Sequence, residues 1–230
     1  TLVCRGVGPF AARGDASGRA QLAAALCLRD GLRCDGCGWA PAVEFYDPVT
    51  TGEEAEALRE LGVGVAEKND RGFYAVEGGR GGGADGDRAG RPVVLFMPHC
   101  PMRLYSNVIW ANWGATAVDS PGLIVLGNSF LKYEERRIGW GNATDEDRTN
   151  CVFQALPFVR ERRLAMCPKA EISEAEGCFG ELDLEKLNVA FSDCSVIRFV
   201  YEKGNLGDNN KCSWPERPDK YDHTPGGELI

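Results

Sequence analysis

Histidine is nearly missing from this chain, with two in 230 residues, His99 and His223. His223 lies in a polar carboxyl-terminal stretch, so imidazole chemistry in the folded part rests on His99 alone. Long apolar runs are absent as well. The longest, PVVLFM and GLIVLG, are strand-sized. They fall far short of the roughly 18 apolar residues of a membrane span, and no membrane contact is expected. A basic excess is also lacking, since 26 Lys and Arg against 34 Asp and Glu leave a net charge of -8. That balance argues against a nonspecific nucleic-acid binder; ERR at 135–137 and RERR at 160–163 are the candidates for a local basic patch, with a solvated face the favoured alternative for both. No signal peptide is visible, and a start at Thr1 leads us to expect an upstream segment.

What is present is the composition of an ordinary globular protein, 43% hydrophobic and 26% charged. A single domain of this length buries roughly 70% of the surface its unfolded chain exposes, so no staple is needed. The ten cysteines are scattered, and several sit inside apolar runs, such as Cys27 in QLAAALCL and Cys194 in AFSDCSVIRF. Buried free thiols in a reducing compartment, cytoplasm or nucleus, are the expectation. Cys34-x-x-Cys37 has metal-ligand spacing but no second pair to complete a site, so no metal is expected. It also follows a helix where a redox motif would precede one.

TLVCRGVG opens as a strand running into a glycine turn, and a helix follows from about residue 19 to 30. AVEFYDP is a second strand. Thr51 with Glu54 makes a capping box for EEAEALREL. VGVAEKN predicts a third strand, paired with GFYAV. PVVLFMP is a fourth, and PMRLYSNVIWANW a helix with Pro101 in its first turn. GLIVLGN is a fifth strand, and CVFQALPFV and SVIRFVY predict one or two more. Residues 78–90, with seven glycines, read as a flexible loop inside a single domain over 1–203. The polar stretch 204–230 reads as a mobile tail. The alternation of strands and helices predicts an α/β chain, a Rossmann-like three-layer fold with a mostly parallel central sheet.

In such a sheet ligands bind outside the carboxyl ends of the strands. Four strands here end in residues with chemistry, namely Gly6 and Gly8, then Asp47, then His99 and Cys100, then Asn128 and Ser129. A parallel sheet puts all of them on one rim, and these are the candidate ligand-binding residues. GVG starts like a dinucleotide fingerprint but lacks its third glycine. The alternatives at that turn are a phosphate cradle and a plain tight turn. Asp47, before Pro48, either caps a turn or binds a ligand hydroxyl or amine. Cys100, before Pro101, is expected near a helix N-cap, where the dipole lowers a thiol pKa. A Cys-His catalytic pair is not expected, because neighbouring side chains on an extended segment point opposite ways. A Cys-Pro pair beside a histidine is also a pattern of axial haem ligation. Asn112 falls on the apolar face of the following helix, where its amide is expected to bridge backbone groups between helix and sheet.

Taken together, LVCRGVGPF, VEFYDPVTTGEEAEALRELG, VLFMPHCPMRLYSNVIWANW, LIVLGNSFLKY and VAFSDCSVIRF resemble the SRR family, "sensitivity to red light reduced". The resemblance covers roughly residues 2 to 200. The most specific blocks are PHCPxxLYxNxxWxNW, carrying Asn107, Trp110, Asn112 and Trp113, and GNSF. It implies a regulatory protein acting with other proteins. Plant members act in light signalling and clock input. Animal and yeast relatives are linked to control of haem biosynthesis, clock-gene expression and microtubule phenotypes. The family lends no catalytic residue. Where it usually has asparagine and threonine, this chain reads Ser192-Asp193-Cys194 after Phe191. The other reading is a nucleotide-, S-adenosylmethionine- or haem-binding enzyme or sensor on the same scaffold.

Overall fold

The computed structural model describes residues 1–11, 16–33, 40–76, 93–113, 123–139, 150–164 and 188–200. The glycine-rich 78–90, the Cys34–Cys37 pair and the tail from 204 lie outside them.

The strands are β1 (Leu2–Arg5), β2 (Val43–Tyr46), β3 (Gly64–Val65), β4 (Val93–Met97), β5 (Leu123–Asn128), β6 (Val159–Arg163) and β7 (Cys194–Phe199). They form one mixed seven-stranded sheet in the order β3-β2-β1-β4-β5-β7-β6. The run from β3 to β5 is parallel, whereas β7 and β6 close one edge antiparallel. Arg5 lies level with Tyr46, and Met97 with Gly127. The four strand ends singled out by their chemistry therefore share one rim.

Alternate residues of the parallel strands go to opposite faces. Leu2, Cys4, Val94 and Phe96 face Leu22 and Ala25 of α1 (Ala16–Gly31) and Leu58 of α2 (Gly52–Glu60). Val3, Leu95, Met97 and Val125 face Tyr105, Val108 and Ile109 of α3 (Met102–Ala111). On that same face lie Phe130, which opens α4 (Phe130–Gly139), and Val152 of α5 (Cys151–Ala155). Helices thus cover both faces, and strands buried twice carry the continuous apolar runs of a parallel sheet. The capping box at α2 forms as its sequence predicts.

Several expectations are corrected. The third strand is only Gly64–Val65, and GFYAV does not pair with it. The backbone of that segment goes to α3 instead, with Tyr74 O and Val76 N bonded to the Asn112 side chain. Pro101 is the N-cap of α3 and Asn112 its C-cap, so the helix is shorter at both ends than its apolar pattern. CVFQA is helical, capped by the Asn150 side chain, which accepts from Val152 N at 3.0 Å. The strand begins only after a 3₁₀ turn, Leu156–Phe158, that contains Pro157. Its sequence, VRERR, is a charged edge strand, the kind of edge that resists pairing with a second chain. Among the described residues, no helix is long and apolar enough to cross a membrane. Cys4, Cys27, Cys100, Cys151 and Cys194 are free, and all but Cys27 are buried.

Candidate functional site

The rim residues separate into two groups with a buried thiol between them. On the β1–β2 side, Gly6 and Gly8 have φ of 64° and 80°, left-handed values that glycine alone adopts at no cost. A Cβ at Gly6 would come within 2.5 Å of Cys100 Sγ, so this glycine makes room for the thiol. The Asp47 carboxylate accepts from Gly8 N at 2.8 Å and from Val49 N at 3.0 Å. Glu54 accepts from Phe10 N at 2.7 Å and Ala11 N at 2.8 Å. Burial pushes the Glu54 carboxyl upward, but the bonds from Thr51, Ala11 and Phe10 outweigh it and hold the pKa below its usual value. The amides that would cradle a phosphate are thus already bonded to the chain's own carboxylates.

Beside them stands Arg5, 5% exposed, which the sequence reading passed over inside a strand. It bridges Glu44 at 2.6 Å and Asp70 at 3.2 Å and lies against the rings of Tyr46 and Tyr74. Its Nε has no hydrogen-bond partner among the described residues. A shallow open depression adjoins it, lined also by Gly6, Pro48, Asn69 and Leu104.

Cys100 is 3% exposed, and its Sγ donates to Arg5 O at 3.3 Å. Burial pushes this thiol up, with the Asp47 charge adding to the effect. The expectation that a helix N-terminus would lower it is not met, because the thiol is almost fully desolvated. A shielded neutral thiol does not fit as a haem ligand.

His99 turns the other way. It has φ of 57°, unusual for a non-glycine residue, and its side chain is exposed. Its N donates to Asn128 Oδ1 at 2.8 Å, and Asn128 Nδ2 donates to Cys100 O at 3.1 Å and to the Tyr133 hydroxyl at 2.8 Å. One amide therefore clamps the turn after β4 to the end of β5. His99 Nε2 lies 3.1 Å from Ala190 O, a group that can only accept, so Nε2 carries the proton. Nδ1 has no hydrogen-bond partner among the described residues. Backbone and ring are both fixed.

His99 lines an open pocket with Asn128, Lys132, Tyr133, Arg136 and Asp193, Ser129 and Ser192 completing it. Ser129 is 2% exposed, and its Oγ accepts from Lys132 N at 3.1 Å, so it caps α4. Glu161 Oε2 accepts from Phe130 N at 3.0 Å and Leu131 N at 3.2 Å. Burial raises the Tyr133 hydroxyl pKa, opposed by its bond from Asn128. Lys132 and Asp193 are bonded, and Arg136 reaches Asp193 at 2.9 Å. Lys132 and Tyr133 did not stand out in the sequence, and Arg136 did so only within ERR at 135–137. Their signal is the i, i+4 spacing of two cations on a helix that starts at a strand's carboxyl end.

The remaining motif residues pack. Asn107 Nδ2 donates to Arg71 O at 2.6 Å, Trp110 meets Phe73 edge-on at 5.8 Å, and Trp113 is 8% exposed. Asn112 makes three side-chain bonds, to Val76 N, Tyr74 O and Val108 O, so it ties α3 to the segment 74–76 and not to the sheet.

The SRR1 domain family model matches residues 1–198. An "SRR1-like protein" of Mus musculus is 35% identical over 136 residues, 58% of this chain and 46% of the relative. "Protein SENSITIVITY TO RED LIGHT REDUCED 1" of Arabidopsis thaliana is 33% identical over 94 residues, 41% of this chain and 29% of the relative. An "SRR1-like protein" of Drosophila melanogaster is 26% identical over 129 residues, 56% of this chain and 38% of the relative. The chain thus spans less than half the length of these relatives. No solved structure matches it.

Proposed function

The chain belongs to the SRR1 domain family, and from that we propose that it is a regulatory protein whose carboxyl rim binds a small molecule. In this reading the scaffold is Rossmann-like, as the order β3-β2-β1-β4-β5 with its reversal between β1 and β4 suggests. The switch crevice itself is plugged by Cys100, and the ligand sits one strand over, beside His99. The observation that carries the reading is the fixed imidazole, its Nε2 held by Ala190, on the wall of an open polar pocket. Output passes through other proteins in the cytoplasm or nucleus. By analogy with the plant relative's name, that output is a light response.

The test is a thermal-shift screen against nucleotides, S-adenosylmethionine, nicotinamide cofactors and haem. A ligand at 100 times its Kd raises stability by about 2.7 kcal/mol. A hit that disappears in His99→Ala is expected. A blank across the screen, or a hit indifferent to His99→Ala, overturns the reading and leaves a pure interaction module.

A further inference from the structure

Asp193 occupies an unusual place in the pocket beside His99. It is a non-glycine residue with φ of 61°, and its backbone is fixed because Asp193 O accepts from Ser129 N at 2.8 Å. Its carboxylate stands between two cations of one helix face. Oδ1 is bonded to Lys132 Nζ, and Oδ2 takes Arg136 Nη2 at 2.9 Å. Lys132 and Arg136 are 25% and 52% exposed, and Asp193 35%, so the carboxylate is reachable from solvent. We propose that the Asp193 carboxylate is a built-in stand-in for the phosphate group of a small-molecule ligand, which displaces it from between Lys132 and Arg136. This rests on the ligand-site reading above and specifies the ligand's chemistry.

Three observations carry the assignment. First, the pair of cations is held by a single carboxylate, and a phosphate monoester dianion matches a lysine and an arginine in charge where one aspartate does not. Second, a phosphate has oxygens to spare once the two cations are met, and His99 and Tyr133 line the same pocket. Third, the amides at the start of α4 are taken by Glu161 and by Ser129 Oγ. An anion here is therefore held by side chains, and the site does not depend on a helix N-terminus. The backbone bond to Ser129 N lets the Asp193 side chain swing out while the turn stays in place. The resident carboxylate also acts as a filter, since a weaker anion has to compete with it at no entropic advantage.

The probe is inorganic phosphate, titrated by calorimetry at constant ionic strength, with acetate as the carboxylate counterpart. Wild type, Asp193→Asn and the double variant Lys132→Gln/Arg136→Gln are compared, each checked for folding by circular dichroism. Phosphate should bind Asp193→Asn roughly three- to tenfold more tightly than wild type, the scale of one partly exposed ion pair. The double variant should lose phosphate binding, and acetate should bind more weakly than phosphate throughout. Equal phosphate affinity in wild type and the double variant overturns the proposal, even if Asp193→Asn fails to fold. So does weaker binding by a folded Asp193→Asn, or acetate binding as tightly as phosphate. A screened compound that needs His99 but ignores the double variant overturns the phosphate assignment and leaves the ligand site standing. No binding of phosphate or of any screened compound overturns both.

Discussion

Replacing Asn112 with leucine removes an amide whose three bonds measure 2.7, 2.7 and 2.8 Å at a residue 4% exposed. Val108 O keeps a partner in Asn112 N, so the loss falls on Tyr74 O and Val76 N. Stranding each of these backbone groups costs about 1–3 kcal/mol. The larger apolar side chain returns roughly 1–2 kcal/mol of burial. The two groups together lose about 2–6 kcal/mol, so the net loss after burial centres on about 2–3 kcal/mol. For a domain of this size each kcal/mol moves the melting temperature by roughly 2–4 °C, so a fall of roughly 4–12 °C should be seen by scanning calorimetry. Amide exchange gives a local readout, because Val76 N–H should exchange far faster in Asn112→Leu while the core of β4 stays protected. Asn112→Asp should cost more, since it turns a donor into a charge facing the Tyr74 and Val108 carbonyls. A melting temperature within about 1 °C of wild type, with Val76 exchange unchanged, would refute the reasoning.

Two further outcomes follow from the same packing. A Cβ at Gly127 would lie 2.5 Å from the Tyr105 hydroxyl and 2.9 Å from Met97 O, while that hydroxyl donates to Met97 O and accepts from Asn128 N at 2.9 Å. Gly127→Ala and Tyr105→Phe should each destabilise by about 2–4 kcal/mol, and urea unfolding of the double variant should show a loss about 1 kcal/mol smaller than the sum. Strict additivity would break the inferred contact. Burial pushes the Cys4 thiol up to about 12 and those of Cys151 and Cys194 to about 11, with Cys100 raised as well. In the unfolded chain these thiols ionise near their ordinary pKa of about 8.5. The unfolded state therefore binds fewer protons from about pH 8.5 upward, and stability, complete below that, is lost as pH rises towards 11. Each thiol contributes up to about 1.4 kcal/mol per pH unit, and Cys4→Ala should remove one such share from the slope of urea-unfolding free energy against pH. An unchanged slope would refute it.

How much of this was legible in the sequence depended on whether a signal was local. The runs LVCR, VLFM and LIVLGN announce twice-buried strands, and Thr51-x-x-Glu54 announces its helix, because each needs only its own neighbours. GFYAV has the composition of a strand, yet a side chain 36 residues away takes its backbone bonds. VRERR has the composition of a loop, yet β7 supplies a ladder to pair with. At the rim, sequence put His99 and Asn128 on adjacent strand ends, and they are bonded. It also put Cys100 there as an activated thiol, and depth of burial is not written in a Cys-Pro pair. Lys132 and Arg136 were hidden for another reason. Their meaning comes from Asp193, 61 and 57 residues further along.

That separation gives Glu161 a role in the order of folding. The carboxylate that caps the first amides of α4 comes from β6, and its other oxygen accepts from Ser195 in β7. Ala190 and Asp193, which hold His99 and the two cations, immediately precede β7. Loops of this length close late, after local helices and neighbouring strands have formed. The five parallel strands can assemble with Phe130 N and Leu131 N of α4 unmet and the pocket unmade, and only docking of the antiparallel pair completes both. The pocket thus depends on the late antiparallel pair, and a nascent protein released before residue 193 would carry the parallel strands without the pocket.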